Sequence, residues 1–397
     1  MDQNTRTAPS PTTGMLPRAD LIPRVDEVLS ARLTLIVAPP GFGKSELLTQ
    51  WTAALDGRAD VIRLDLDFRH NDPELFRAAL AAASSPHLPS HEDSGERVAP
   101  IDLTGFVAAV EARGASDAPL VFMLDNLEHV VDSIIIDVLT AALRLLPASA
   151  SLVIASRVSP NLLLGELRTR GEVVEISARD LAFSASEIDE LAKAHGTTGM
   201  LEEVVAATGG WPAATALLLR SRRRARSALA EYFNEVVLAG LPTDERVFLE
   251  ESSVLPLVTA RDTERIFDGS VDSASMLIRL DRSGRFPLTR EAPDAWSIPS
   301  VLREHLRERL ASRDLARYRT LLGAAAELMS ERAALSTRER EVLALLDSEL
   351  TAAAIAGVLG ISYHTAKTHI RSIYDKLGVS TRVLALQRAR ERGLLSA

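Results

Sequence analysis

The chain has 397 residues, of which 46% are apolar and 25% charged, with a net charge of −9 and no cysteine. That length allows two to four domains with real cores, and the composition excludes disulfides, Cys-ligated zinc and a membrane helix, since no apolar run is long enough to span a bilayer. The charge is uneven: residues 335–397 hold nine Lys/Arg against six Asp/Glu, leaving −12 on the other 334 residues, so overall acidity does not exclude a nucleic-acid partner for the C-terminal segment.

Residues 1–14 are polar, with Pro9 and Pro11, and lack the basic-then-apolar order of a signal peptide. They predict a disordered leader on a cytoplasmic protein. A β-rich apolar run follows at 33–38, and similar runs recur at 61–66, 120–125, 152–156 and 173–176, with helical periodicity between them at 74–83 and 133–146. Strands alternating with helices predict an α/β domain with a parallel sheet covered on both faces, over residues 15–180. Beyond Arg179 helices dominate. Ser184 with Glu187 three residues on forms a capping box, and a second helix ends at Gly209-Gly210. The basic run in 217–229, with Arg220, Arg222, Arg223, Arg224 and Arg226, reads as a solvated helix face. A helical segment at 181–230, a small mostly helical domain at 231–310, a linker helix at 311–334 and a C-terminal domain at 335–397 complete the expected order.

Ala38-Pro39-Pro40-Gly41-Phe42-Gly43-Lys44-Ser45 joins the first strand to a helix-like run, which is the context of a phosphate-binding loop. Backbone N–H groups near Pro40, Gly41 and Gly43 can cradle phosphate oxygens at a helix N-terminus. Lys44 would reach the outer phosphates, and the Ser45 hydroxyl would bind Mg²⁺. Asp125, where a buried strand becomes loop, supplies the acid that holds the nucleotide's metal through water. The next residue is Asn126, and an amide there accepts no proton from water, so ATP or ADP binding with slow or absent hydrolysis is expected.

These pieces resemble the nucleotide-binding module of MalT-like STAND ATPases. Leu16-Pro17-Arg18, Gln50-Trp51, Asn71-Asp72-Pro73, Ala155-Ser156-Arg157, Leu167-Arg168-Thr169-Arg170-Gly171, Asp180-Leu181-Ala182-Phe183-Ser184 and Gly209-Gly210-Trp211-Pro212 follow the family's order. The resemblance implies a P-loop fold followed by a helical lid and a winged-helix-like domain. It also implies that Arg157 senses the terminal phosphate and that Pro212 packs near base or ribose, whereas Trp211 is expected in the lid core. One departure is Pro299, which stands where the family carries a histidine before an apolar helix; a proline side chain donates no hydrogen bond. His305 is expected as a surface histidine.

In the C-terminal segment Ser336 with Glu339 forms a capping box before Val342, Leu345 and Leu346. Thr351 can cap a second helix, Gly360-Ile361-Ser362 makes a turn, and a third helix from Tyr363 ends at Gly378; Ser380 is expected to cap a fourth. Two helices joined by a three-residue turn form a helix-turn-helix. On the second, Ala366, Ile370, Ile373 and Leu377 form an apolar face, while Lys367, Thr368 and Arg371 share the side on which base edges are read. Thr365, His369, Lys376 and Arg382 are candidates for phosphate contacts, as is His364. The stretch from Leu335-Ser336-Thr337-Arg338-Glu339 through Thr365-Ala366-Lys367-Thr368-His369-Ile370 to Ile373-Tyr374-Asp375-Lys376-Leu377-Gly378-Val379 resembles a LuxR/NarL-type domain. The resemblance implies an all-α four-helix fold that binds double-stranded DNA as paired half-sites. Glu349 and Ala354 depart from the usual residues without touching the reading face.

A DNA-binding regulator whose ATP state gates self-association is the leading reading. An ATPase whose hydrolysis is the output, and a DNA-binding protein with an idle nucleotide module, remain the alternatives. A homo-oligomer on DNA and a further contact with RNA polymerase or a signalling protein are the expected partners. No membrane partner is expected.

Overall fold

A computed structural model describes residues 16–84, 110, 118–197, 199–220, 225–267, 269–333, 335–348, 350–391 and 394–395. The expected leader, Arg222–Arg224 of the basic run and Glu349 lie outside the described residues. The chain divides into two compact units, one of residues 1–261 with 272–309, the other of 262–271 with 310–397.

The first unit is built on a five-stranded parallel sheet in the order β2-β3-β4-β1-β5, with β1 at Leu33–Val37, β2 at Asp60–Asp65, β3 at Leu120–Asp125, β4 at Ala150–Ser156 and β5 at Val173–Ser177. β3 and β4 are buried along their whole length, whereas the edge strands β2 and β5 are only partly buried. This is why the central strands read as unbroken apolar runs in the sequence. Leu35, Phe122, Ile154, Ile135 and Leu139 belong to one core with Phe76 and Leu167. Parallel pairing places the ends of β1, β3 and β4 on one edge of the sheet, with Val37 opposite Ser156 and Leu124 opposite Ile154. The loops that carry the chemistry therefore meet there. The arrangement is a parallel-sheet P-loop NTPase-like fold.

Helices Ala185–Ala194, Leu201–Thr208 and Pro212–Arg220 follow and share a small core of Ile188, Leu191, Val204 and Leu219. The capping box at Ser184 forms as expected. Of the basic run read over 217–229, the described residues lie in helices Pro212–Arg220 and Ala225–Tyr232. The latter runs on into a π-helical turn, Phe233–Leu238. A three-stranded antiparallel sheet, in the order β6-β8-β7, joins β6 (Val258–Thr259), β7 (Thr289–Ala292) and β8 (Ala295–Ser297), beside helix Ser273–Ser283. The region expected as a linker is helical on both sides of Asp314, in Ser300–Arg313 and Leu315–Ala333.

In the second unit, helices Thr337–Asp347, Ala352–Leu359, Tyr363–Leu377 and Arg382–Glu391 enclose a core of Val342, Leu343, Leu346, Ile355, Ala366, Ile373, Leu377 and Ala385. The caps at Ser336, Thr351 and Ser362 form as read from the sequence. The last helix differs: the Thr381 hydroxyl, not Ser380, accepts the Leu384 N–H, at 3.4 Å. No described helix is long and apolar enough to cross a membrane.

Candidate functional site

The loop between β1 and helix Lys44–Ala54 closes on itself. Gly43 takes the left-handed conformation just before the helix, so the first helical N–H groups face the loop. The Lys44 side chain turns into the loop, its Nζ donating to the carbonyls of Ala38 at 2.6 Å and Pro39 at 3.2 Å. Burial brings its ammonium down to about 8, opposed chiefly by the carboxylate of Glu128 and, less strongly, by those of Asp125 and Glu46. Ser45 is exposed at the helix start.

Asp125 is 1% exposed at the end of β3. Its Oδ1 accepts the Asn126 N–H at 2.9 Å, and its Oδ2 lies 3.3 Å from a guanidinium nitrogen of Arg63 on β2. Asn126 holds φ at 59°, the left-handed region, and the chain turns there so that Glu128, in the single turn Leu127–His129, faces the end of β4. Glu128 accepts the backbone N–H of Arg157 at 3.0 Å and pairs with its Nε at 2.9 Å. Lys44, Asp125 and Arg157 are thus brought to one sheet edge, as the sequence reading placed them. That reading missed Glu128 and Arg63. A carboxylate three residues beyond Asp125 was the available signal for Glu128; for Arg63, halfway along a strand, there was none.

The helical segment after the sheet reaches the same loop. Gly41 has φ of 77°, and a Cβ there would stand 2.2 Å from the Tyr232 hydroxyl and 2.6 Å from the Ala213 methyl, so only glycine allows this approach. The Gly41 carbonyl accepts the Ala213 N–H at 3.0 Å, and the Pro40 carbonyl accepts Nε1–H of Trp211 at 3.1 Å. Trp211, expected in the lid core, is instead fully buried between the loop residue Phe42 and Phe233, with ring centroids at 6.2 and 5.6 Å. The indole has one polar atom to satisfy when buried, and the loop carbonyl satisfies it. Pro212 is buried as the first residue of its helix, where its missing N–H costs nothing. The Tyr232 hydroxyl is buried without a partner among the described residues, and burial pushes it up to about 12.

Arg18 holds the same helical segment from the other side. Its Nε is 2.8 Å from the buried Glu187 carboxylate, and its guanidinium lies over Phe183. Its backbone N–H donates to Gln50, whose neighbour Trp51 donates to the Leu21 carbonyl. His305 is not a plain surface residue: its ring packs 5.5 Å from Phe233, with Nε2 3.2 Å from Asn234 Oδ1, and burial lowers it from the ordinary histidine range. The end of helix Ser273–Ser283 comes against the sheet edge at Gly284. There φ is +55°, and a Cβ would lie 1.9 Å from the Arg157 carbonyl oxygen.

The C-terminal candidates divide into two groups. His364, Lys367, Thr368 and Arg371 form an exposed stripe on helix Tyr363–Leu377, with Thr365 and His369 partly exposed beside it. Ala366, Ile373 and Leu377 are buried on the opposite face, with Ile370 partly buried against the core. Lys367 Nζ lies 5.5 Å above the Tyr363 ring, which holds the ammonium outward. Lys376 and Arg382, proposed for phosphate, are already engaged within the domain. Lys376 Nζ is 2.7 Å from Glu339 Oε2, and Arg382 donates to the Leu350 carbonyl at 2.8 Å and to that of Leu346. Arg382 thereby ties the last helix to the end of helix Thr337–Asp347 and the loop after it. Burial raises the Glu339 carboxyl, but hydrogen bonds from Lys376, Ser372 and Ser336 outweigh it and bring it down to about 2.

Residues 333–389 match the family model for bacterial regulatory proteins of the luxR family, and residues 234–318 match that for the MalT winged helix domain. The chain is 26% identical over 303 residues to the HTH-type transcriptional regulator MalT of Yersinia enterocolitica, covering 70% of this chain and 33% of that protein. It is 26% identical over 308 residues to the MalT of Serratia proteamaculans, with the same coverage. The chain spans about a third of the length of these curated relatives. Among solved structures, Cdc6p from Pyrobaculum aerophilum aligns over 76% of this chain and 97% of that one, with 19% identity and a TM-score of 0.37. The Aeropyrum pernix Orc1 protein in complex with DNA aligns over 76% and 95%, with 16% identity and a TM-score of 0.38.

Proposed function

We propose that this chain, which carries a LuxR-family helix-turn-helix and a MalT-type winged helix domain, is a DNA-binding transcription regulator gated by adenine nucleotide. The observation that carries the reading is the divided face of helix Tyr363–Leu377, with an apolar side in the core and His364, Lys367, Thr368 and Arg371 outward. Lys367 and Arg371 offer donors to guanine edges and Thr368 a methyl to thymine, while Thr365, His369 and His364 serve phosphates. Lys376 and Arg382 hold the domain together, through the Glu339 carboxylate and the carbonyls of Leu350 and Leu346.

The donor set at the sheet edge fits a nucleoside polyphosphate. It combines N–H groups at a helix start, a buried ammonium, a hydroxyl and a buried carboxylate at one strand edge. Pro40, Gly41, Gly43, Lys44 and Ser45 would hold ATP or ADP, with Pro212 near base or ribose and Arg157 at the terminal phosphate. Mg²⁺, held through Ser45 and Asp125, would neutralise phosphate charge. Hydrolysis is slow on this reading, because the residue that follows Asp125 is Asn126, whose amide accepts no proton from water. Trp211 and Ala213 hydrogen-bond the loop that holds nucleotide, so ligand state and lid position are coupled. ATP-bound chains would then associate and present several reading heads to paired half-sites.

Arg371→Ala tests the DNA reading. On fragments selected by the unaltered chain it should cost about 1–3 kcal/mol and relax preference at one base pair. A loss equal on every sequence would make Arg371 a phosphate anchor, and no loss would remove it from the interface.

A further inference from the structure

Arg157, at the end of β4, has its backbone N–H and its side chain held by one carboxylate. Its N–H donates to Glu128 Oε2 at 3.0 Å and its Nε lies 2.9 Å from Oε1. The Glu128 side chain is 10% exposed and that of Arg157 37%, so the acid is fixed and the guanidinium has room to leave. The carbonyl of Ser156, the residue before Arg157, accepts the N–H of the loop residue Ala38 at 3.2 Å. The pair therefore lies beside the phosphate loop rather than at a remote surface. The Arg157 backbone runs close against Gly284, where a Cβ would collide with its carbonyl, so the side chain is the part with room to move.

We infer that Glu128 is a positioning residue that occupies Arg157 and must yield it to the terminal phosphate of a nucleoside triphosphate. The Glu128–Arg157 pair thereby sets how well the site separates triphosphate from diphosphate. A carboxylate and a phosphate compete for the same planar donor fork. When the guanidinium leaves, the N–H···Oε2 bond keeps Glu128 in place with Oε1 released, and the reverse exchange follows loss of the terminal phosphate. The competition is felt by a ligand that reaches Arg157 and not by one that ends short of it. The inference rests on the nucleotide reading above.

The test is calorimetric titration of the full chain with ADP and with the β,γ-methylene analogue of ATP, both with Mg²⁺. Glu128→Gln keeps an acceptor for the Arg157 N–H and removes the ion pair. It should tighten the triphosphate analogue about tenfold, the scale of one partly buried ion pair released from competition, and leave ADP within twofold. Arg157→Ala should bring the two affinities together, and adding Glu128→Gln to it should give no further gain. Equal changes for both nucleotides, or a gain that survives in the double variant, would overturn the inference and leave nucleotide binding intact. Absence of any nucleotide binding by the unaltered chain would overturn both.

Discussion

Lys44→Ala is expected to weaken ATP binding by at least ~30-fold, the low end of the 2–5 kcal/mol lost when one partner of a buried charged contact is truncated. The ammonium already sits inside the loop, on the Ala38 and Pro39 carbonyls, and is 8% exposed. Its charge is therefore costly to hold there until an anion arrives. Burial lowers it to about 8, so near pH 8.5 a large share of the chains carry a neutral Lys44. Phosphate favours the charged form, and binding should then take up a proton. That uptake is measurable as a dependence of the calorimetric heat on buffer ionisation enthalpy. It should be absent in Lys44→Ala and in Lys44→Arg, whose guanidinium stays charged throughout. ATP-dependent self-association should disappear with the binding. Affinity within twofold of the unaltered chain would show that the loop does not hold phosphate through this residue.

Glu339→Ala is expected to destabilise the C-terminal helices by about 3 kcal/mol, a large part of the stability of a domain of this size. Glu339 is 4% exposed, completes the capping box with Ser336, and accepts from Ser372 at 2.6 Å and Lys376 at 2.7 Å on helix Tyr363–Leu377. It is thus the brace between the first helix and the proposed reading helix. The folded carboxyl lies at about 2, below its unfolded value of 4.5. A depressed acid contributes its stability above the unfolded value and loses it as pH falls toward the folded one. The unaltered chain should accordingly lose about 3 kcal/mol between pH 4.5 and 2, while the variant lacks this share at neutral pH. Hydrogen exchange of the helix Tyr363–Leu377 amides reads both effects. Unchanged protection in the variant would show that the brace carries no net energy.

The regular parts of the fold were legible because they rest on local rules. The buried strands β1, β3 and β4 are continuous apolar runs, and the caps at Ser184, Ser336, Thr351 and Ser362 are local hydrogen bonds. The loop carrying Lys44 and the acid Asp125 could be read because each ends a strand in a parallel sheet. What could not be read depends on distant elements meeting. Trp211 reaches Pro40 across 171 positions of chain, and no periodicity tells a lid-core indole from one donating to a loop carbonyl. His305 meets Phe233, the first residue of the π-helical turn, in a tilted ring contact between elements far apart in the chain. Lys376 and Arg382 look like phosphate ligands by residue type, yet a buried carboxylate and two carbonyls claim them first. Competition of that kind is decided by tertiary distance, not by spacing.

The most direct test of the central claim is the affinity of the full chain for duplex DNA as salt is raised from ~50 to ~200 mM. If the stripe of Lys367 and Arg371 with its flanking phosphate ligands meets a groove, log affinity should fall linearly with log salt at about −0.9 per phosphate neutralised, or roughly a hundredfold over that range for about four contacts. A folded chain with no salt-sensitive attraction to any duplex would contradict the account.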